Sequence, residues 1–148
     1  KPTLEPLDVV IVGAEAGTGK RAGMLTSYVV ACRSGKDFLP CGMVSTGLKE
    51  KEEEGFTFSY LSKMLQPLII HHDGRSVTIK PKIIVEVAYE EIQKSPTYAS
   101  GYALRFPRIR TIRTDKDIAE INTLQDVEHI YTMQKTQKHK SLSKENNI

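Results

Sequence analysis

Apolar positions change period along the chain. Residues 7–14, Leu-Asp-Val-Val-Ile-Val-Gly-Ala, are rich in β-branched side chains and bounded by Pro6 and a glycine cluster, which predicts a buried strand. Gly13, Gly17, Gly19 and Gly23 then surround Lys20 and Arg21 in a loop, and residues 26–32 return as a second strand, giving a hairpin with a long basic tip. A third strand is expected at 38–46, after the turn-prone Ser34-Gly35-Lys36-Asp37. From about Glu50 the period lengthens: Phe58, Leu61, Met64, Leu65 and Leu68 recur three and four apart, as on one face of a helix that Pro67 ends. His71-His72-Asp73-Gly74 reads as a turn, followed by a short strand at 76–80 and a strong one at 83–89. A last strand begins at Ala103 and is bent or confined to an edge by Pro107. Leu124, Val127, Ile130, Tyr131 and Gln134 restore helical spacing behind the capping residues Asn122 and Thr123.

Five or so strands, one helix among them and another after them, fit neither a βαβ alternation nor a seven-stranded sandwich. They predict a mainly β fold, a five-stranded barrel of the OB type with an inserted helix and a C-terminal helix. The length of 148 residues allows one such domain, expected over 1–133, with a basic, disordered tail over 134–148. Hydrophobic residues at 39% and charged residues at 26% suffice for a core and exclude a disordered chain. No apolar run is long enough to cross a bilayer and the first residues lack a signal-peptide pattern, so a cytoplasmic protein without a membrane partner is expected. Cys32 and Cys41 are too few for a disulfide framework and read as buried thiols. The first residue is Lys1 rather than Met, as in a piece of a longer polypeptide.

The net charge of +3 is modest but unevenly spread. Four acids and one lysine occupy 50–54, whereas Arg105, Arg108, Arg110, Arg113 and Lys116 face only Asp115. Apolar residues interleave with these cations, so a strand would hold guanidinium forks at fixed spacing, either as a solvated face or as a contact for polyphosphate or nucleic acid. Locking of those guanidiniums into internal carboxylate pairs would overturn the second alternative. Other motifs fail on inspection. Residues 14–21 lack the first glycine and the final hydroxyl of a phosphate-binding P-loop, where Ala14 and Arg21 stand. A dinucleotide fingerprint at 17–22 would need a helix after it, but a strand pattern follows. His71 and His72 are not spaced as zinc ligands with Cys32, Cys41 or Asp73, and no metal site is expected. Glu86 alternates with Val85 and Val87, which places it toward solvent or a polar groove.

Arg105-Phe106-Pro107-Arg108 followed by Arg113-Thr114-Asp115-Lys116 resembles motif VI of ATP-dependent DNA ligases, roughly RFPR and then RxDK. Residues 82–104 are similar to the segment that precedes that motif in archaeal members, and residues 7–14 with Gly19-Lys20-Arg21 also match the family. The resemblance runs from Lys1 to about Tyr131. It implies an OB-fold module at the C-terminal end of a ligase core, in the family's replication, repair and recombination roles. An adenylation domain and a DNA-binding domain lie upstream in that family and would be its partners within the same chain. The family's nucleophilic lysine lies in K-x-D-G, and this chain has His71 where that lysine would precede Asp73 and Gly74, so the segment alone is expected to be inactive.

By the same resemblance, Arg113, Asp115 and Lys116 assist adenylation over the β and γ phosphates of ATP, with Mg²⁺ in the full-length enzyme and neither bound by this segment alone. Lys20, Arg21, Arg105, Arg108 and Arg110 would contact the backbone of nicked double-stranded DNA, and Lys1 would stand where motif V ends in a cofactor-binding lysine. One departure is that family members commonly carry a basic residue at the position of Thr111 and an apolar one at Arg110. Either a bulge restores the register there or a phosphate contact is lost. The alternatives are a free-standing OB-type binder of single strands, stacking bases on Phe56, Phe58, Tyr98 or Tyr102, and an interaction module docking through its C-terminal helix.

Overall fold

The computed structural model describes residues 4–19, 23–45 and 58–145, with the side chains of Phe58 and of 137–145 excepted. Nine strands form: β1 (Leu7–Ala16), β2 (Leu25–Ser34), β3 (Asp37–Ser45), β4 (Ile69–Asp73), β5 (Ser76–Ile79), β6 (Ile84–Ala88), β7 (Glu91–Lys94), β8 (Tyr102–Arg105) and β9 (Arg108–Ile112). Two α-helices accompany them, α1 (Phe58–Leu65) and α2 (Leu124–Glu145). All pairings between strands are antiparallel.

β1 organises the sheet. β2 lies along one of its edges, while the other is shared, with β6 beside Leu7–Val10 and β5 beside Gly13–Glu15. The path β3-β2-β1-β6-β9 therefore makes five strands of an OB-like sheet, to which the hairpins β4–β5 and β7–β8 are added. The margins approach through β8. The Ser100 amide donates to the Pro40 carbonyl at 3.4 Å, and Leu104 lies so close to Gly42 that a Cβ there would sit 3.5 Å from it.

Alternation along the strands sorts two apolar clusters. Leu7, Val9 and Ile11 of β1, Tyr28, Val30 and Cys32 of β2, and Val85 and Val87 of β6 point into the main core, which also takes Cys41. Leu61 and Leu65 of α1 enter it four residues apart, and the buried Ser62 hydroxyl accepts the Leu25 amide at 3.0 Å. Val10, Ala31 and Ile84 point the opposite way and are covered by Ile118 and Ile121, so the outer face of the sheet carries a small core of its own. Asp8 and Glu86 share that outer face.

Three expectations differ from the structure. His71 and His72 do not form a turn: they belong to β4, paired with Thr78 and Val77, and the reversal falls at Gly74 with φ +63°. Cross-strand pairing to the β-branched β5 outweighs the local polar signal. β7 carries only one apolar residue at a buried position, Ile92, so it gives no clear strand pattern. Its outer edge is held by the Gln134 amide, which accepts from the Ile92 N–H at 2.6 Å and donates to its carbonyl at 2.9 Å. Finally, within the tail expected to be disordered over 134–148, the backbone is helical through Glu145. No Gly or Pro interrupts residues 108–148, and straight-chain residues propagate a helix already docked by Val127.

A capping box starts α2. The Thr123 hydroxyl accepts the Asp126 amide at 3.2 Å, and the Asp126 carboxylate accepts the Thr123 amide at 2.8 Å. Burial opposes ionisation of Asp126, but these bonds and the Asn122 amide hold its carboxyl below the ordinary value. Because the folded-state value is depressed, the stabilisation is present above the unfolded value and lost as pH falls through the folded one. Asp126→Asn should therefore cost about 0.5–1 kcal/mol near neutrality and nothing in acid, checked by urea unfolding at pH 7 and pH 3.

Candidate phosphate and nucleic-acid interface

The arginine-rich segment is two strands and a corner. β8 ends at Arg105, Phe106 and Pro107 turn the chain, and β9 resumes beside β6. Phe106 has φ +50°, a left-handed conformation that costs a non-glycine residue about 1–3 kcal/mol. Its ring is 60% exposed and lies 5.1 Å below the Arg105 guanidinium. A phenylalanine held strained and outward beside Arg105 was not among the stacking aromatics expected from the sequence. The available hint was an aromatic residue placed between an arginine and a strand-breaking proline. Of the aromatics named instead, Phe56 lies outside the described residues, as does the side chain of Phe58. Tyr102 packs at 5.3 Å against Tyr131.

Along β9 a bulge is present. Glu86 pairs with Thr111 and the next residue, Val87, with Ile109, so Arg110 is the extra residue. Ile109 keeps its place in the core, Thr111 joins Glu86 on the outer face, and Arg110 is turned into solvent. Among the described residues, Arg108 and Arg110 are exposed and make no ion pair, whereas Arg105 pairs with Glu91 at 3.0 Å. Lys20, Arg21 and Lys1 lie outside the described residues.

Beyond β9 the strand pairing extends by one bond, from the Arg113 amide to the Ile84 carbonyl at 2.8 Å, which brings the Arg113 side chain to the outer face. Asp8 and Glu86 stand directly opposite one another there on β1 and β6. Arg113 lies between these like charges, one terminal nitrogen 3.2 Å from Asp8 and 3.9 Å from Glu86. Its Nε and other terminal nitrogen grip Asp115 at 3.0 and 3.1 Å. Lys116 Nζ meets the second oxygen of Asp8 at 2.7 Å. The Asp8 backbone is fixed in turn by Asn122: its amide donates to the Asn122 side chain at 2.8 Å, and its carbonyl accepts the Asn122 amide at 2.9 Å.

The hydrogen bond from Arg113 holds the Asp115 carboxyl below its ordinary value, and the same bond raises Arg113. Two cations and three carboxylates leave the cluster with a formal charge of −1. Arg113 and Lys116 are thus in the internal pairs that argue against an anion site. The pairs are partly open to solvent, with a quarter of the Arg113 side chain exposed, and ion pairs at such positions are weak. Of the predicted residues, the structure brings Arg113, Asp115 and Lys116 together and leaves Arg108 and Arg110 separate on the preceding strand. Asp8 and Glu86 were not foreseen as part of this cluster.

An antiparallel OB-like sheet followed by this paired Arg113–Lys116 segment gives the fold class, and comparisons with known proteins specify the family. The family model described as "ATP dependent DNA ligase C terminal region" matches residues 21–116, more than half of the chain. The DNA ligase of Nanoarchaeum equitans is 54% identical over 144 residues, covering 95% of this chain and 25% of that protein. The DNA ligase of Thermococcus fumicolans is 44% identical over 142 residues, covering 95% and 24%. Among solved structures, the ligase domain of M. tuberculosis LigD superposes with a TM-score of 0.61 at 27% identity, over 78% of this chain and 37% of that one. A mycobacterial DNA ligase D complexed with ATP and MES gives 0.58 at 26% identity, over 80% and 37%. The chain belongs to the family of C-terminal regions of ATP-dependent DNA ligases. It spans about a quarter of the length of these curated relatives.

Proposed function

We propose that this chain serves as the C-terminal OB module of an ATP-dependent DNA ligase, acting in two states. In the first, Arg113 and Lys116 turn toward the β and γ phosphates of ATP while an upstream lysine attacks the α phosphorus and pyrophosphate departs. In the second, the edge carrying Arg105, Phe106, Arg108 and Arg110 lies on nicked duplex DNA, where phosphate contacts fix position without reading sequence. The observation that carries the reading is the convergence of Arg113 and Lys116 on one carboxylate, Asp8, which puts two phosphate-competent cations side by side.

Each residue has a distinct task. Asp115 fixes the plane of the Arg113 fork, and the fork supplies hydrogen-bond donors where charge develops on the leaving oxygens. Lys116 adds a mobile point charge. Asp8, Glu86 and Asp115 are already engaged by these cations, so Mg²⁺ fits this site as the counter-ion carried by ATP, where it offsets phosphate charge. On the DNA-facing edge, the strained Phe106 offers an apolar face to a base step exposed at a nick, as minor-groove wedges do. A ligase acting on chromosomal DNA works in the cytoplasm at the nucleoid. No described helix is long and apolar enough to cross a membrane.

Binding of the chain to nicked duplex and to a single strand of the same sequence, measured by fluorescence anisotropy at several salt concentrations, tests the second state. The duplex should be preferred. Arg108→Ala and Arg110→Ala should each weaken it and lower the salt slope by about 1, with unfolding unchanged. A preference for the single strand would overturn the reading in favour of an OB-type strand binder.

A further inference from the structure

Asp8 does more than complete a surface network. It stands directly opposite Glu86 on the neighbouring strand, an arrangement of like charges that weakens a sheet and that a neutral pair would serve better if stability were its only purpose. Its main chain is locked by Asn122 from both sides and its side chain is only 12% exposed, so the carboxylate is a fixed point. Arg113 is clamped by Asp115 through two bonds, by Asp8 through a third, and lies near Glu86. Lys116 differs. Its ammonium has three donors on a four-carbon stem, and Asp8 is its one ion-pair partner among the described residues.

Resting on the reading of Lys116 as a phosphate ligand, we propose that Asp8 is a competing anion that holds Lys116 off the nucleotide until polyphosphate displaces it, making Asp8 a positioning residue. With a formal charge of −1, the cluster as it stands does not draw in a polyanion. A phosphate oxygen is held by exchange of one partner: Lys116 leaves Asp8 for it, while Arg113 turns with its Asp115 clamp unbroken. Asp8 then stays beside Arg113 and offsets its charge, so that Lys116 can be recaptured when the module withdraws from the nucleotide. The competition sets how strongly polyphosphate is held and leaves the orientation of the fork to Asp115.

The probe is inorganic tripolyphosphate, titrated into the chain and followed by the NMR signals of Arg113 Nε–H and the Lys116 ammonium. Asp8→Asn keeps shape and removes the charge, and should tighten tripolyphosphate about five- to tenfold. Glu86→Gln, which leaves the Asp8 contact intact, should tighten it about twofold at most. In a Lys116→Ala background the gain from Asp8→Asn should fall to the general charge effect that Glu86→Gln shows, about twofold at most. Equal affinity of unaltered and Asp8→Asn protein, including no measurable affinity in either, overturns the proposal. So does a gain that stays above that level without Lys116. Because this titration needs no catalysis, it separates from the ligase reading itself, which fails if Lys116→Ala leaves self-adenylation of the intact enzyme untouched.

Discussion

In the intact ligase, Lys116→Ala should slow self-adenylation by about a hundredfold while sealing of pre-adenylated nicked DNA stays within about threefold of normal. The asymmetry follows from where charge moves. On the proposed reading pyrophosphate leaves only in the first step, and a donor brought to that developing charge contributes on the scale seen for single stabilising groups in acyl and phosphoryl transfer. Loss of Lys116 should disturb the fold little: it is a partly exposed side chain after the last strand, and its carboxylate partner keeps Arg113 when it is gone. Single-turnover transfer of labelled AMP to the enzyme, set beside single-turnover sealing of an adenylated nick, measures the two steps separately. Equal losses in both would mean that Lys116 serves the fold or the DNA contact, and the assignment to ATP would fall.

The largest loss of stability is expected at Tyr28. This side chain is fully buried in β2 at the centre of the main core, and its hydroxyl donates to the Leu25 carbonyl at 2.7 Å. Tyr28→Ala removes an aromatic ring from a close-packed interior and should cost about 3–5 kcal/mol, whereas Tyr28→Phe removes only the hydroxyl and should cost about 1 kcal/mol. Since small domains have only some 5–15 kcal/mol in hand, the alanine variant should be largely unfolded at moderate urea. Urea denaturation followed by circular dichroism resolves the two variants. A near-equal cost would place the stabilisation in the hydrogen bond rather than in ring packing.

The sequence carried the OB-like architecture because the strands that build it are long and strongly patterned. β1 alternates inward and outward residues, and β6 repeats the pattern beside it. α1 was legible from Leu61 and Leu65, although residues 46–57 lie outside the description. β4 and β7 were not legible, since their order comes from partners: β5 for the histidines of β4, and the Gln134 amide for Ile92 of β7. At the site, the RFPR and RxDK spacing pointed to the cations but not to what faces them. Asp8 and Arg113 are 105 positions apart, and no local periodicity brings them together. The Arg110 bulge had been one of two alternatives, and only the register of β6 against β9 decides it.

The bond that ties Asp8 to Asn122 spans 114 positions. During synthesis β1 leaves the ribosome long before Asn122 exists, so the Asp8 carboxylate waits without its cations until the segment after β9 emerges. The cluster is therefore assembled only after the sheet that carries it has been made. A truncation before Asn122 would leave Asp8 and Glu86 as neighbouring acids with a loosened strand between them and solvent.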